Sequence, residues 1–262
     1  MPARTWLLID VPFFTWREFY GAARQDPRAA IVGALHEVRK LHERFSAHAT
    51  TVYCFDRAPY FRTDVYPRYK ISRETKERTV EEREGRAAVR TKTNELVETL
   101  RARNKHVLCY AGLEADDHIA AAARAIPKGD HAVICSRDQD LWQLLSPRCS
   151  ALDPVTDQIH THKTFRATYD LHPSEWAQVK ALAGCATDDI DGIEGVGEKT
   201  AVKYLTGKMN RLSPLHGKIR NFIGTAPHLT NLALCSLPWP GTPPVPLESK
   251  IGTSRAICGG VG

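Results

Sequence analysis

The chain has 262 residues, 42% of them hydrophobic, with 36 Lys and Arg against 30 Asp and Glu for a net charge of +6. That length and apolar content exclude a disordered chain and allow one large domain or two small ones. No apolar run is long enough to cross a bilayer and no secretory pattern precedes the first apolar stretch, so a cytoplasmic protein without membrane contact is expected. The Cys at 54, 109, 135, 149, 185, 235 and 258 are scattered, odd in number and without a CxxC pair, which predicts reduced, mostly buried thiols.

Trp6-Leu7-Leu8-Ile9 predicts a first strand that runs into Asp10, and a helix is predicted over 28–46. A second strand over 51–55 runs into Asp56. A basic segment then covers 70–105, with a helix over 87–104. The strand over 106–110 is followed by Glu114-Ala115-Asp116-Asp117, which opens a helix over 114–126. The strand over 131–135 leads within three residues to Asp138 and Asp140, and a helix follows over 139–145. Weaker strands near 149–152 and 158–161 are joined by a turn at Asp153-Pro154 and Asp157. Helices over 173–184 and 198–206 come next. Beyond about 235 the prolines cannot continue a helix or a central strand, and residues 252–262 are expected to be disordered. The alternation predicts an α/β fold with a mostly parallel central sheet flanked by helices.

In such a sheet, ligands bind outside the carboxyl ends of the strands, where the acids of this chain are placed. Several carboxylates converging there repel one another unless a divalent cation neutralises them. An all-oxygen set suits Mg²⁺ or Mn²⁺, and the simplest chemistry for it is metal-assisted attack on a phosphodiester. The segment 70–105 carries Lys70, Arg73, Lys76, Arg78 and Arg86 among several Glu. It reads either as a solvated helix face or as a clamp holding a polyanion over the acids. Gly192-Ile193-Glu194-Gly195-Val196-Gly197-Glu198-Lys199-Thr200-Ala201 joins two predicted helices. Its glycines let a nucleic-acid backbone approach, and the N–H groups that open the next helix suit phosphate oxygens. This is the pattern of a helix-hairpin-helix, which grips duplex phosphates without reading sequence.

Taken in order, these motifs resemble the 5′-nuclease family: flap endonucleases, phage 5′-3′ exonucleases and the N-terminal nuclease domain of bacterial DNA polymerase I. Leu8-Ile9-Asp10 with Arg17 is similar to its first motif, and Phe55-Asp56 with Tyr69-Lys70 and Arg73 to its second. Gly112-Leu113-Glu114-Ala115-Asp116-Asp117 is similar to its G-x-E-A-D-D signature. Ser136-Arg137-Asp138-Gln139-Asp140 resembles its D-x-D strand end, and 183–201 its helix-three-turn-helix block. The resemblance implies a nuclease core over 1–170 with a helical arch at about 70–105, a duplex-binding subdomain over 171–235 and a tail over 236–262. With no polymerase segment following, it implies a free-standing enzyme of the bacterial or phage type, acting as a monomer in replication and repair.

The resemblance further implies two Mg²⁺ or Mn²⁺ ions. Asp10, Asp56, Glu114, Asp116 and Asp117 build the first site; Asp138, Asp140 and Asp188 build or share the second. For Asp117, Asp189 and Asp191, capping a helix or shaping a turn is the competing role. Lys70 and Arg73 contact the scissile phosphate. Arg17, Lys76, Arg78, Gly195, Val196, Gly197, Lys199 and Thr200 contact DNA, and K⁺ binds backbone oxygens at Gly195 and Gly197. The substrate is DNA with a 5′ flap, nick or 5′ end, with RNA–DNA hybrids also open. One departure weakens the second site: where the family has an acid three residues before Asp188, this chain has Cys185. A branched-DNA-binding protein with impaired catalysis is therefore the rival reading, and an RNA-directed nuclease or a small-molecule phosphatase are others.

Overall fold

In the computed structural model, residues 3–22, 25–45 and 49–247 are described; the tail expected over 252–262 lies outside them. The chain opens with β1 (Thr5–Asp10), α1 (Val11–Tyr20), α2 (Pro27–Phe45) and β2 (Thr50–Cys54). A long crossover then carries α3 (Phe61–Val65), α4 (Ile71–Thr75) and α5 (Val80–Ala102) before β3 (His106–Leu108). There follow α6 (Ala115–Ala125), β4 (His131–Cys135), a 3-10 turn (Gln139–Leu144), β5 (Cys149–Leu152), β6 (Ile159–His160) and α7 (His162–Tyr169). Next come α8 (Trp176–Ala183) and the two-residue strands β7 (Gly184–Cys185) and β8 (Ile190–Asp191). Last are α9 (Glu198–Leu205), α10 (Pro214–Phe222) and α11 (Ala226–Cys235).

The main sheet has six strands in the order β3-β2-β1-β4-β5-β6, parallel except for the β5–β6 hairpin. Alternation along β1 splits the core between its two faces, as the period of a strand requires. Trp6 and Leu8 join Val52, Ile119, Ile134 and Trp176 on one face. Leu7 and Ile9 join Phe14, Val38, Val97 and Val133 on the other. Val196, Ala201, Ile219 and Leu237 belong to the first of these cores, so the C-terminal helices pack into the same interior as the sheet. The buried stripe of α2, at Ala30, Ala34, Val38 and Leu41, has the spacing of a helix lying on that second core.

Several elements differ from expectation. No element was expected over α1, yet Asp10 caps it through Phe13 N and Pro12 sits in its first turn, where a missing N–H costs nothing. The α7 helix was also unexpected; Thr161 and Thr164 close a reciprocal capping box at its start. The helix expected over 173–184 is a 3-10 turn (Pro173–Glu175) followed by α8. The strand expected over 106–110 stops at Leu108. Helices α10 and α11, each with Pro in the first turn, went unread.

Candidate metal centre

The sheet order reverses between β1 and β4, and their carboxyl ends open a crevice there. Asp10 closes β1; its Oδ1 accepts from Phe13 N at 3.1 Å and its Oδ2 from Ser136 Oγ at 2.7 Å. Burial pushes the Asp10 pKa up to about 7, opposed by those two hydrogen bonds and reinforced by Asp56 and Asp138. Asp116 is held well above the ordinary carboxylate range, by desolvation first and then by Asp138, Asp10 and Glu114. Asp56 is raised by the protein packed around it and by Glu114, while its Oδ1 accepts from Ala115 N at 2.8 Å. These groups disfavour one another's charge, and the donors are oxygens. Both facts fit a hard divalent cation held by Asp10, Asp56, Glu114 and Asp116.

Glu114 is 4% exposed and is fixed from three sides. Tyr69 Oη donates to it at 2.7 Å, Arg62 Nη1 lies at 3.2 Å, and the Lys70 ammonium pairs with its Oε1. Burial draws the Lys70 pKa down, but Glu114 and Asp188 outweigh it and hold the ammonium charged, well above its usual range. Gly112, whose signature opens this turn, has φ +80°, and a Cβ there would collide with the Phe61 ring.

A second set lies alongside. One ligand atom each from Asp140, Cys185 and Asp188 falls within 4.8 Å of the others. Asp138 caps the 3-10 turn by accepting from Asp140 N at 2.8 Å, which ties it to the same set. Burial and Asp138 push Asp140 up to about 6, against the pull of Lys180, whose Nζ stands 3.0 Å from Oδ1 and 2.9 Å from Glu198. Asp188 is paired with Arg73 Nη2 at 2.7 Å and with Lys70 Nζ at 3.7 Å. Burial, then Asp188, pushes the Cys185 thiol up to about 11.

The base of the basic segment is bolted to this second set. Lys70 N donates to Asp188 O at 3.0 Å, Ser72 N to Asp189 Oδ2 at 2.9 Å, and Arg73 Nε to Thr187 O at 3.1 Å. Above it, α4 and α5 face α1 across a cavity of about 400 Å³ lined by Trp16, Tyr20, Arg73, Lys76, Arg78 and Arg86. The Arg86 guanidinium lies 4.5 Å over the Trp16 ring. On the other side, Gly197 precedes α9 and offers no side-chain cap, so the first N–H groups of that helix face outward next to exposed Lys199.

A family model described as the 5′-3′ exonuclease N-terminal resolvase-like domain matches residues 5–170. The chain belongs to this 5′-3′ exonuclease family. DNA polymerase I of Thermus thermophilus is 32% identical over 205 residues, 76% of this chain and 23% of the polymerase. A 5′-3′ exonuclease of Halalkalibacterium halodurans is 43% identical over 96 residues, 35% of this chain and 32% of that protein. The chain thus spans about 23% of the length of the polymerase relatives it matches. Among solved structures, zinc-bound T5 5′-exonuclease shares the fold with a TM-score of 0.74 at 23% identity, covering 90% of each chain.

Within this family frame, Asp10, Asp56, Glu114 and Asp116 converge with Lys70, whereas Asp117 does not join them. It is fully buried, and Arg62 grips it twice, at 2.7 and 2.9 Å, while Glu114 N and Trp239 N donate to it at 3.1 and 2.7 Å. That corrects its expected place among the ligands: its oxygens are spent on holding α6, α3 and the C-terminal segment together. Arg17 likewise departs from an open cation; it pairs with Glu18 at 2.9 Å and Glu37 at 3.5 Å against α2. Arg78 pairs with Glu82 at 3.3 Å and donates to Arg73 O, whereas Lys76 is exposed. Val196 is 4% exposed, so its side chain is core. Gly197 O already accepts from Thr200 N at 2.9 Å and Ala201 N at 3.0 Å.

Four functional neighbours were missed: Arg62, Tyr69, Ser136 and Lys180. Tyr69 stands directly before Lys70 and Ser136 directly before Arg137 in quoted motifs, but their hydrogen bonds follow from folding alone. Lys180 sits one helical turn before Gly184, a spacing that aims it at the same end of α8 as Cys185. His118, on α6 beside these acids, is buried, with Nδ1 at 3.0 Å from Phe55 O and Nε2 accepting from Tyr110 N at 3.2 Å, and burial pushes its pKa down to about 4.

Proposed function

We propose that this chain is a divalent-metal-dependent 5′-nuclease that hydrolyses phosphodiester bonds near the 5′ end of nicked or flapped duplex DNA. The observation that carries it is the placement of Asp10, Asp56, Glu114 and Asp116 just past β1 and β2 and at the start of α6, within electrostatic reach of one another, with Lys70 paired to Glu114. Mg²⁺ or Mn²⁺ held by these acids would supply water activation, and a second divalent cation at Asp138, Asp140 and Asp188 beside them would stabilise the leaving 3′-oxygen. The protein's own groups do the rest. Lys70 and the half-exposed Arg73 offer cations to the scissile phosphate, and trading Glu114 or Asp188 for phosphate keeps each charge paired throughout. Tyr69 and Arg62 keep Glu114 oriented while that exchange occurs.

The α4–α5 segment would close over the single-stranded 5′ part, with Lys76 and Arg86 at the cavity it forms with α1. The N-terminus of α9, with Gly195, Lys199 and Thr200, would hold the duplex phosphates, and K⁺ at the backbone oxygen of Gly195 would add to that hold, the Gly197 oxygen being taken by Thr200 N and Ala201 N. RNA–DNA hybrids fit the same phosphate contacts, and a single chain contains every group named, which suits a monomer.

Cleavage of a 5′-labelled flap duplex across Mg²⁺ and Mn²⁺ titrations tests this, with Asp116→Ala as control. Metal-dependent cutting near the junction, lost in the variant, is expected. Tight flap binding without cutting in either metal would favour the DNA-binding reading that Cys185 raises.

A further inference from the structure

We propose that the Asp140–Cys185–Asp188 set is a mixed oxygen–sulfur site that takes a thiophilic divalent cation, of the Zn²⁺ or Cd²⁺ class, in preference to Mg²⁺. The inference rests on the two-site reading above but concerns this chain's own departure from it. The three ligand atoms lie within 4.8 Å of one another. A tetrahedral ion with bonds of about 2.0–2.3 Å brings its donors about 1 Å closer, within reach of rotamer adjustment. The backbone under them is fixed: Cys185 pairs with Ile190 and Gly184 with Asp191 in the β7–β8 hairpin. Gly184 has φ +79°, and Gly192 leaves no room for a Cβ there.

A separate observation marks the place for a cation. Asp140 Oδ1 is closed off from solvent, and the Lys180 ammonium that faces it at 3.0 Å is shared with Glu198. A shared ammonium leaves this buried oxygen room for a second cationic partner.

The donor set then decides which cation. Asp140 faces Lys180 and Asp188 faces Arg73, while Asp138 lies against Asp140 and Glu198 shares Lys180. Mg²⁺ demands hard oxygen donors and gives up water reluctantly. A thiol offers no compensation to Mg²⁺ but is the preferred donor of softer ions. The Cys185 Sγ lies 3.1 Å from Thr187 Oγ1, half-buried and reachable. On coordination the thiol proton leaves to solvent, the S–H bond being replaced by a metal–sulfur bond, so one proton is released per ion bound.

The test uses the whole chain as wild type, Cys185→Ser and Cys185→Asp, each checked for folding by circular dichroism. Co²⁺ is the spectroscopic probe, because a cobalt–thiolate bond gives a charge-transfer band in the near ultraviolet that oxygen ligands do not. The band should appear in the wild type and vanish in Cys185→Ser. By calorimetry, Cys185→Asp should bind Mg²⁺ at least tenfold more tightly and Cd²⁺ at least tenfold more weakly than the wild type. A band of equal strength in Cys185→Ser, or unchanged Mg²⁺ and Cd²⁺ affinities in Cys185→Asp, would overturn the proposal. The nuclease reading fails separately: a Cys185-dependent band with no flap cleavage in any metal sinks that reading and leaves this site standing.

Discussion

The two acid sets are made from different structural material. Asp10, Asp56, Glu114 and Asp116 sit at the ends of packed parallel strands or at the start of α6; Lys70 and Arg62 pair with Glu114, while Asp10 and Asp116 are raised by burial and by their acidic neighbours. Asp140, Cys185 and Asp188 sit on 3-10 turns and a two-residue strand, and Lys180 and Arg73 offset their charge. Strand ends in a packed sheet hold carboxylates together against their repulsion, whereas short turns rely on local pairs. On the proposed reading, the first set holds a hard cation and the second, through Cys185, a softer one.

The largest effect should come from breaking the first set. Asp116→Asn should lower cleavage by about a thousandfold, since it removes a ligand on which the charge stabilisation depends. In EDTA the same variant should melt at a higher temperature than the wild type, because a repelled carboxylate has been neutralised. If it melts lower, the carboxylate serves the fold and not a cation. Asp117→Ala supplies the opposite pattern: it removes the bidentate partner of the buried Arg62, leaving Glu114 at 3.2 Å, and should cost about 3–5 kcal/mol in chemical denaturation, with or without Mg²⁺. Together the two variants separate a ligand from a brace one residue away.

The pH dependence is next in size. The Asp10 carboxyl, ordinarily near 3.8, is raised to about 7. Its protonated form is favoured by the fold, so that stability is fully present below the ordinary value and lost as pH rises through about 7. In EDTA, stability should fall between about pH 4 and about pH 7, by on the order of a few kcal/mol. Mg²⁺ should flatten the curve at its upper end. A curve that rises over that range would mean the repulsion is relieved within the protein. The smallest effect belongs to the hairpin: Lys199→Ala should weaken duplex binding several-fold, alike for all sequences, and reduce the salt slope by about 1. Unchanged binding would remove the α9 terminus from the duplex contact.

The strands were legible because their apolar runs end in acids, and the pattern of β1, β2 and β4 carries its own period. Helices α1, α7, α10 and α11 were hidden by their composition. Phe13, Phe14, Trp16 and Phe19 in α1 lack a charged face, so its helical character lies in its cap and Pro12. In the site, Asp10, Asp56, Glu114 and Asp116 could be read from strand-end position. Asp117 could not be told from them, because what separates it is Arg62, 55 residues away in sequence. Lys180 was invisible for the same reason: its partners, Asp140 and Glu198, are adjacent only after α8 packs between the sheet and the hairpin.

The bonds from Lys70, Ser72 and Arg73 to residues 187–189 tie the start of α4 to the turn bearing Asp188. If α4 and α5 hold a strand as proposed, a displacement of α4 reaches the second acid set directly, and a change in that set reaches α4.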